Sequence, residues 1–263
     1  MTRPSDDVLA AVARPGMVAL GVIYAIVGLL AGQIAVHGRG GDADGTGAVE
    51  TVAEQPFGAW LLGLLALGLL ALLLWRVAQT IWGDPVGGDR AKDRLKSAAE
   101  GAVYASLLAS SVGALLGRGG GDDSDEQART WTARAMELPG GRVLVALAGL
   151  AILAYAARTF WKWALHATFV DHLDRSRCGE DAIRRIRLLG QVGYTGRSIA
   201  FALVGIFVVR AAWQFDSSEA KGLSQSMQEV AQSGWWPVLW VAAAGLVAFG
   251  ALQVALGVYR RID

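Results

Sequence analysis

Long apolar segments are the feature that most constrains the fold of this 263-residue chain. Residues 15–36, 57–75 and 238–259 contain no charged side chain. About 20 such residues in a helix cross a hydrocarbon layer of about 30 Å. Hydrophobic residues make up 54% of the chain and charged residues only 18%, which departs from the usual composition of soluble proteins. The sequence therefore predicts a protein that spans a membrane several times.

Three further apolar segments, 101–117, 143–157 and 198–209, are each too short to be assigned by hydropathy alone. An internal repeat identifies them as spans. A shift of 177 residues aligns 21–28 with 198–205 and 57–75 with 234–252, and a shift of about 80 aligns 22–25 with 102–105. The chain is thus composed of three tandem units with two spans each, which gives six spans.

The loops between paired spans carry the repeated motifs. Gly-Arg-Gly-Gly begins at Gly38 and again at Gly117, and Gln-Pro-Phe-Gly at 55–58 becomes Leu-Pro-Gly-Gly at 138–141. The third unit has Ser-Gly-Trp-Trp at that place. This unit resembles a bacterial integral-membrane family described as domain of unknown function 1206, which carries three tandem copies. The resemblance covers residues 14–260 and implies a fold and a membrane location, but no activity, substrate or catalytic residue.

We therefore expect an all-α polytopic membrane protein with six transmembrane helices. Since each unit has two spans, successive units are parallel repeats, which allows a pseudo-threefold arrangement about the membrane normal. Apolar residues at helical spacing, such as Leu223, Met227 and Val230, predict short interfacial helices in the outer loops. The predicted divisions are an N-terminal tail (1–13), repeat 1 (14–83), repeat 2 (94–165), a basic linker (166–189) and repeat 3 (190–260).

Basic residues are distributed unevenly between the two sets of loops. The side with both termini carries 13 Lys and Arg residues and the opposite side carries 5. This bias predicts the bacterial cytoplasmic membrane, with the N- and C-termini in the cytoplasm. Arg184, Arg185 and Arg187 form a basic cluster that we expect to attract anionic lipids of the inner leaflet.

Ionisable side chains inside spans are costly, by about 2.5–3.5 kcal/mol each, and are therefore the candidate functional residues. Glu100 and Arg197 occupy equivalent repeat positions, and Arg76, Arg158 and Gln253 occupy a second equivalent set. We predict that they form a polar layer, with Glu100 paired to one of the arginines. The alternative is that the arginines extend to lipid phosphates at the membrane surface. Tyr24, Tyr104 and Phe201 are equivalent aromatic positions that would line a central axis.

Small residues recur at a spacing of four on two of the spans. Close packing of small residues is how membrane helices associate. We therefore predict helix contacts at these positions, which are Gly28 and Gly32 in the first span and Gly101, Ala105, Ala109 and Gly113 in the third.

Several functional classes have no support in the sequence. The net charge of +1 offers no basic excess for nucleic acid. No set of catalytic residues lies at one depth and no metal-ligand spacing occurs, so we expect neither an enzyme nor a cofactor or metal site. The expected function is a non-catalytic membrane interaction or envelope-support module with a protein partner that the sequence does not identify. The alternative is a transporter of small solutes or lipids with its site on the pseudo-threefold axis.

Overall fold

The computed structural model describes residues 6–37, 42–82, 91–117, 124–168, 170, 179–214, 216 and 219–259. This part of the chain is helical and contains no strand. Its helices are α1 (Asp6–His37), α2 (Gly45–Ala53), α3 (Gly58–Trp82), α4 (Ala91–Leu115), α5 (Ser124–Met136), α6 (Gly141–Thr159), α7 (Glu180–Gln214), α8 (Leu223–Gln232) and α9 (Trp236–Tyr259). A π-helical turn, Phe160–Leu165, continues α6.

Six of these helices are long and apolar enough to cross a membrane, namely α1, α3, α4, α6, α7 and α9. The three short helices α2, α5 and α8 each follow the first span of a pair. Every unit therefore has the order long helix, short helix, long helix, which confirms the prediction of six spans in three repeats. We call the end of the bundle that carries the short helices the cap end, and the end that carries both chain termini the terminal end.

Two spans extend further than the sequence predicted. α1 begins at Asp6, within the predicted tail, and α7 begins at Glu180, within the predicted linker. The acidic residues Glu180 and Asp181 lie in the first turn of α7, where negative charge favours the positive end of the helix dipole. The basic cluster Arg184–Arg187 consequently lies on an exposed helical extension of the span and not in a loop.

The spans pack in the order α4, α3, α1, α9, α7, α6. In this order the first and third units meet through α1 and α9, which form the largest contact in the described bundle. The two helices at the ends of the row, α4 and α6, both belong to the second unit and make at most a marginal contact within the described residues. The pseudo-threefold ring is therefore interrupted inside the second unit.

Glycine allows the close approach of α1 and α9. A Cβ atom on Gly28 would lie 2.7 Å from the backbone nitrogen of Val247 and 2.9 Å from the carbonyl oxygen of Ala243. One on Gly21 would lie 2.7 Å from the carbonyl oxygen of Gly250. These separations are shorter than van der Waals contact, so the two backbones touch only because side chains are absent.

The other predicted small positions are packed less tightly. A Cβ on Gly32 would meet only Ala243, at 4.0 Å, and one on Gly101 would lie 3.4 Å from Cβ of Arg76. Ala105 and Gly113 are half-buried, and Ala109 is exposed. The prediction of a continuous packing stripe along α4 is therefore wrong at Ala109, because α4 lies at one end of the row and has a spanning neighbour on one side only.

Two apolar clusters fill the bundle above and below its middle. The larger extends to the cap end and includes Ile34, Leu62, Leu246 and, from α8, the fully buried Met227. The smaller lies toward the terminal end; its buried members are Met17, Ala167, Ile186, Phe249, Leu252 and Leu256. The short helix α8 thus belongs to the core and does more than rest on the membrane surface.

The glycine contact between α1 and α9 predicts a position-specific effect of a single methyl group. Gly28→Ala should destabilise the protein by about 1–3 kcal/mol, because the new Cβ overlaps the backbone of α9. The matched control is Gly63→Ala on α3, where a Cβ would meet no atom within 4 Å. It should be neutral or stabilising by up to about 1 kcal/mol. The thermal unfolding midpoints of the two variants in one detergent test this prediction, and equal midpoints would contradict it.

Candidate binding site around Arg197

Arg197 is the middle residue of α7 and lies 17 residues, or about 26 Å of helix, from each end. Because α7 continues past the membrane span as the exposed Arg184–Arg187 extension, Arg197 lies in the half of the span nearer the terminal end. Its side chain is only partly accessible, and its Nε atom is fully buried. A guanidinium inside a span is a costly group to hold away from water. Its surroundings therefore show what the protein gains from it.

Aromatic rings surround the Arg197 guanidinium. Its central carbon lies 4.9 Å from the ring centre of Phe249, 5.4 Å from that of Phe201 and 5.9 Å from that of Tyr24. Its Nη2 donates a hydrogen bond of 3.3 Å to the hydroxyl oxygen of Tyr155. These four aromatic side chains, which we call the aromatic cage, come from α1, α6, α7 and α9. The alternative in which the arginines extend to lipid phosphates is therefore wrong for Arg197.

The rings of the cage support one another. Tyr24 contacts Phe249 edge to face with ring centres 4.7 Å apart, and Tyr155 contacts Phe201 in the same way at 5.3 Å. Behind them Tyr194 contacts Phe249 at 5.1 Å. Such edge-to-face pairs are favourable geometries for aromatic rings. The cage is thus a mutually packed unit and not a chance grouping of flexible side chains.

The π-helical turn after α6 supplies the next layer. Trp163, within this turn, stacks on Tyr194 with ring centres 5.4 Å apart. A π-helical turn changes the direction of the side chains that follow it, and such turns are frequent at functional sites. Here it brings Trp163 against α7 on the terminal side of the cage.

No acidic side chain of the described residues balances the charge of Arg197. Among the described residues no carboxylate lies within ion-pair distance of it, and Nε has no hydrogen-bond partner. Ring faces stabilise a cation partially, by up to about 2 kcal/mol for a desolvated pair. A guanidinium has five N–H donors. The site therefore combines a positive charge with unused donors, which is the chemistry that binds an oxyanion.

The repeat contains an apolar version of the same contact. Leu20, Leu72 and Tyr104 pack together in the first part of the bundle. The 177-residue shift places Leu20 on Arg197 and Leu72 on Phe249. Tyr104 lies on α4, the first span of the unit that packs against the first unit, and Tyr24 lies on α1, the first span of the unit that packs against the third. The scaffold therefore forms this contact without an arginine, so the fold itself does not require Arg197.

Glu100 pairs with Arg76 and not with its repeat equivalent Arg197. Nη2 of Arg76, on α3, lies 2.5 Å from Oε2 of Glu100, on α4, with about a quarter of each side chain exposed. Nη1 of Arg76 also donates to Oε1 of Gln79 at 2.6 Å, a partner that the sequence analysis missed. Tyr104 packs with Leu20 and Leu72, and Tyr24 packs against these residues.

The predicted polar layer is therefore only partly assembled. Arg158 is exposed and Gln253 is half-buried on α9, and neither joins the Arg76–Glu100 pair. Of the predicted axial aromatics, Tyr24 and Phe201 contact Arg197 directly, and Tyr104 packs one step further away. Tyr155 and Phe249 were not predicted. The available signal was that four of the five tyrosines lie inside predicted spans or at their ends.

Charged residues at the cap end have structural partners. Arg142 donates from Nε to the carbonyl oxygen of Ala212 at 2.8 Å, which satisfies a free carbonyl at the end of α7. Arg210 pairs with Glu219 at 3.1 Å. The Lys221 ammonium, 2.9 Å from Glu229, lowers the pKa of that carboxyl. The two ion pairs hold α8 and the loop before it against α7, and the Arg142 hydrogen bond joins α6 to α7.

Residues 166–178 contain two histidines, two aspartates and a cysteine, which are the residue types that bind metal ions. Nδ1 of His166 lies 2.7 Å from the carbonyl oxygen of Trp161. Asp171, His172 and Cys178 lie outside the described residues. Among the residues that are described, no three His, Cys, Asp or Glu side chains gather in a group able to hold a metal ion.

The Arg76–Glu100 pair predicts strong energetic coupling between α3 and α4. Glu100→Leu should destabilise the protein by about 1–3 kcal/mol, because it leaves the Arg76 charge without its partner. Adding Arg76→Leu should restore much of that loss, since no unpaired charge remains. Unfolding free energies of the two single variants and the double variant test this, with the exposed Arg158→Leu as control. Additive losses would contradict the pairing.

Comparison with known proteins agrees with the three-unit architecture. A family model described as "Domain of Unknown Function (DUF1206)" matches residues 16–83, 95–164 and 192–260. The chain is 27% identical over 253 residues to "Uncharacterized protein YxxB" of Bacillus subtilis (strain 168), which covers 95% of this chain and 90% of that protein. No solved structure matches the present chain. With three matched copies that together cover most of its length, this chain belongs to the DUF1206 family.

Proposed function

We propose that this protein is a non-catalytic membrane protein that binds a ligand inside the bilayer at Arg197 and its aromatic cage. The observation that carries the proposal is a guanidinium inside a span with partly buried surroundings, three ring contacts and no acidic partner among the described residues. Ionisable residues inside membrane spans are rare, and they mark functional sites by default. This is the lipid- or solute-handling alternative of the sequence analysis, restricted to binding at one site.

The repeat supports this proposal against a purely structural role. At the equivalent position the first unit uses Leu20 in an apolar contact. A protein that needed only packing would be more stable with leucine in both places, because leucine has no desolvation cost. Functional sites are where such departures from local stability are expected.

The second candidate is the packed interaction or envelope-support module. The glycine contact between α1 and α9 and the apolar core at the cap end favour it, since both are close packing of apolar groups. The two candidates differ in one residue. A packed module has no use for Arg197, whereas a binding protein depends on it.

Replacing Arg197 by the leucine of the first unit separates the two candidates. We expect Arg197→Leu to unfold at an equal or higher temperature than the wild type, and to lose a ligand that native mass spectrometry detects on the wild-type protein. Arg158→Leu, which removes an exposed arginine, is the control and should keep the ligand. If the wild type carries no ligand that depends on Arg197, or if Arg197→Leu unfolds at a much lower temperature, the packed module is favoured.

We also propose the bacterial cytoplasmic membrane as the location, with both termini in the cytoplasm. The basic bias of 13 residues against 5 supports it, and the exposed cluster Arg184, Arg185 and Arg187 then faces anionic lipid of the inner leaflet. The division into residues 1–13, 14–83, 94–165, 166–189 and 190–260 stays a prediction.

Reporter fusions test this orientation. Alkaline phosphatase, which is active only outside the cytoplasm, should be active when fused after Asp44 at the cap end and inactive when fused after Tyr259. A green fluorescent protein fused at the same two places should give the reverse result. Active phosphatase at Tyr259 would contradict the proposed orientation.

A further inference from the structure

We propose that the ligand of Arg197 is the singly charged oxyanion of a membrane lipid, and that it enters sideways between α4 and α6. This inference rests on the proposed function and adds the ligand's charge, its chemical class and its route. A phosphodiester and a fatty-acid carboxylate share this chemistry. Each presents two oxygens to a guanidinium and carries a hydrocarbon chain.

The charge of the site sets the charge of the ligand. Arg197 supplies one positive charge, and the nearby Arg76 is already neutralised by Glu100. A ligand with one negative charge therefore leaves the cage neutral, whereas one with two would leave net charge in an apolar interior, at high cost. The planar guanidinium binds two oxygens of one acid in parallel, which suits a carboxylate or phosphodiester.

The two ends of the bundle argue against a water-soluble anion. Toward the cap end the interior is filled by buried side chains that include Leu62, Met227 and Leu246. Toward the terminal end it is filled by a second cluster that includes Met17 and Leu256. An anion that approached along the axis would have to pass one of these apolar layers, where an unpaired charge is strongly disfavoured.

The side of the bundle next to Tyr155 lies between the two ends of the row of spans. α4 and α6 are the two ends of the row of spans and make at most a marginal contact in the described residues. The hydroxyl oxygen of Tyr155, on α6, accepts a hydrogen bond from Arg197, and yet this residue is 37% exposed. One residue thus touches both the guanidinium and the surroundings of the protein, which in a bilayer are lipid. A lipid can bring its head group to Arg197 through this gap and leave its chains in the membrane.

The two helices that border this gap carry exposed apolar side chains. Val103 on α4 is 57% exposed, and Leu147 on α6 is 61% exposed. A hydrocarbon chain gains nothing from such residues over bulk lipid, so the specificity must come from the head group at Arg197. This predicts binding that discriminates by charge and depends little on chain structure.

Photo-crosslinking with defined lipids tests the inference. The purified protein in nanodiscs of zwitterionic phosphatidylcholine receives trace photoreactive, clickable phosphatidylglycerol, fatty acid or phosphatidylcholine. We expect the two anionic probes to label peptides of α4, α6 and α7, and unlabelled phosphatidylglycerol to compete. Labelling by the anionic probes should fall about tenfold or more in Arg197→Gln, which corresponds to the loss of one charged hydrogen bond. The fall should be smaller in Arg197→Lys, because lysine keeps the positive charge but cannot bind two oxygens in parallel. Arg158→Gln is the matched control and should label as the wild type does.

A second variant keeps the test decisive if Arg197→Gln fails to fold. Tyr155→Phe removes one hydroxyl beside the guanidinium and leaves the ring contact with Phe201 in place. It should fold and label more weakly with the anionic probes. Unchanged labelling by both anionic probes in this variant and in Arg197→Lys would overturn the inference.

The remaining outcomes separate this inference from the proposed function. Equal labelling at the cage by phosphatidylcholine, or competition by inorganic phosphate as well as by lipid, would overturn the anionic-lipid ligand and its lateral route. If such labelling still depended on Arg197, the proposed function would stand. If no probe labelled the cage in an Arg197-dependent way and native mass spectrometry found no other ligand, both would fail.

Discussion

The contact between α1 and α9 determines how the three units are arranged. Two backbones approach closely there because glycines face each other, as Gly21 and Gly250 do. Helices in lipid have no hydrophobic force to draw them together, so close packing of this kind supplies the association. By joining the first unit to the third, it brings Tyr24 of α1 against Phe249 of α9 and so builds one wall of the cage. It also leaves the two spans of the second unit at opposite ends of the row.

A repeated scaffold with one charged departure is the basis of the site. Leu20, Leu72 and Tyr104 form an apolar contact that the unit supplies by default. At the corresponding place Arg197 meets Phe249 and Tyr24, whose ring faces offer partial negative charge. Aromatic faces make the arginine tolerable without neutralising it. An acidic side chain in their place would have formed a closed structural pair, as Glu100 does with Arg76.

The sequence predicted the fold well because membrane spans depend on properties that are local in the chain. Length, hydropathy and a repeat identified all six spans, including the three weak ones that correspond to α4, α6 and α7. Equivalent repeat positions also identified Arg197, Tyr24 and Phe201 as candidate residues. Arg197 and Phe201 are four residues apart on one helix, and they are in contact. Tyr155 and Phe249 were missed because they belong to no set of equivalent aromatic positions; Leu72, for example, is the equivalent of Phe249 in the first unit. Their depth and rotation depend on packing between helices, which hydropathy does not encode.

The sequence could not predict the gap between α4 and α6 either, because the gap also depends on packing between helices. A threefold repeat predicts three equal contacts, and only the glycine spacings of particular helix pairs decide which contact is lost. The most direct test is a cryo-electron microscopy map of the protein in nanodiscs that contain phosphatidylglycerol. The account predicts head-group density within hydrogen-bonding distance of the Arg197 guanidinium, continuous with a chain that passes between α4 and α6. A map in which α4 packs against α6 and a carboxylate of the protein neutralises Arg197 would contradict it.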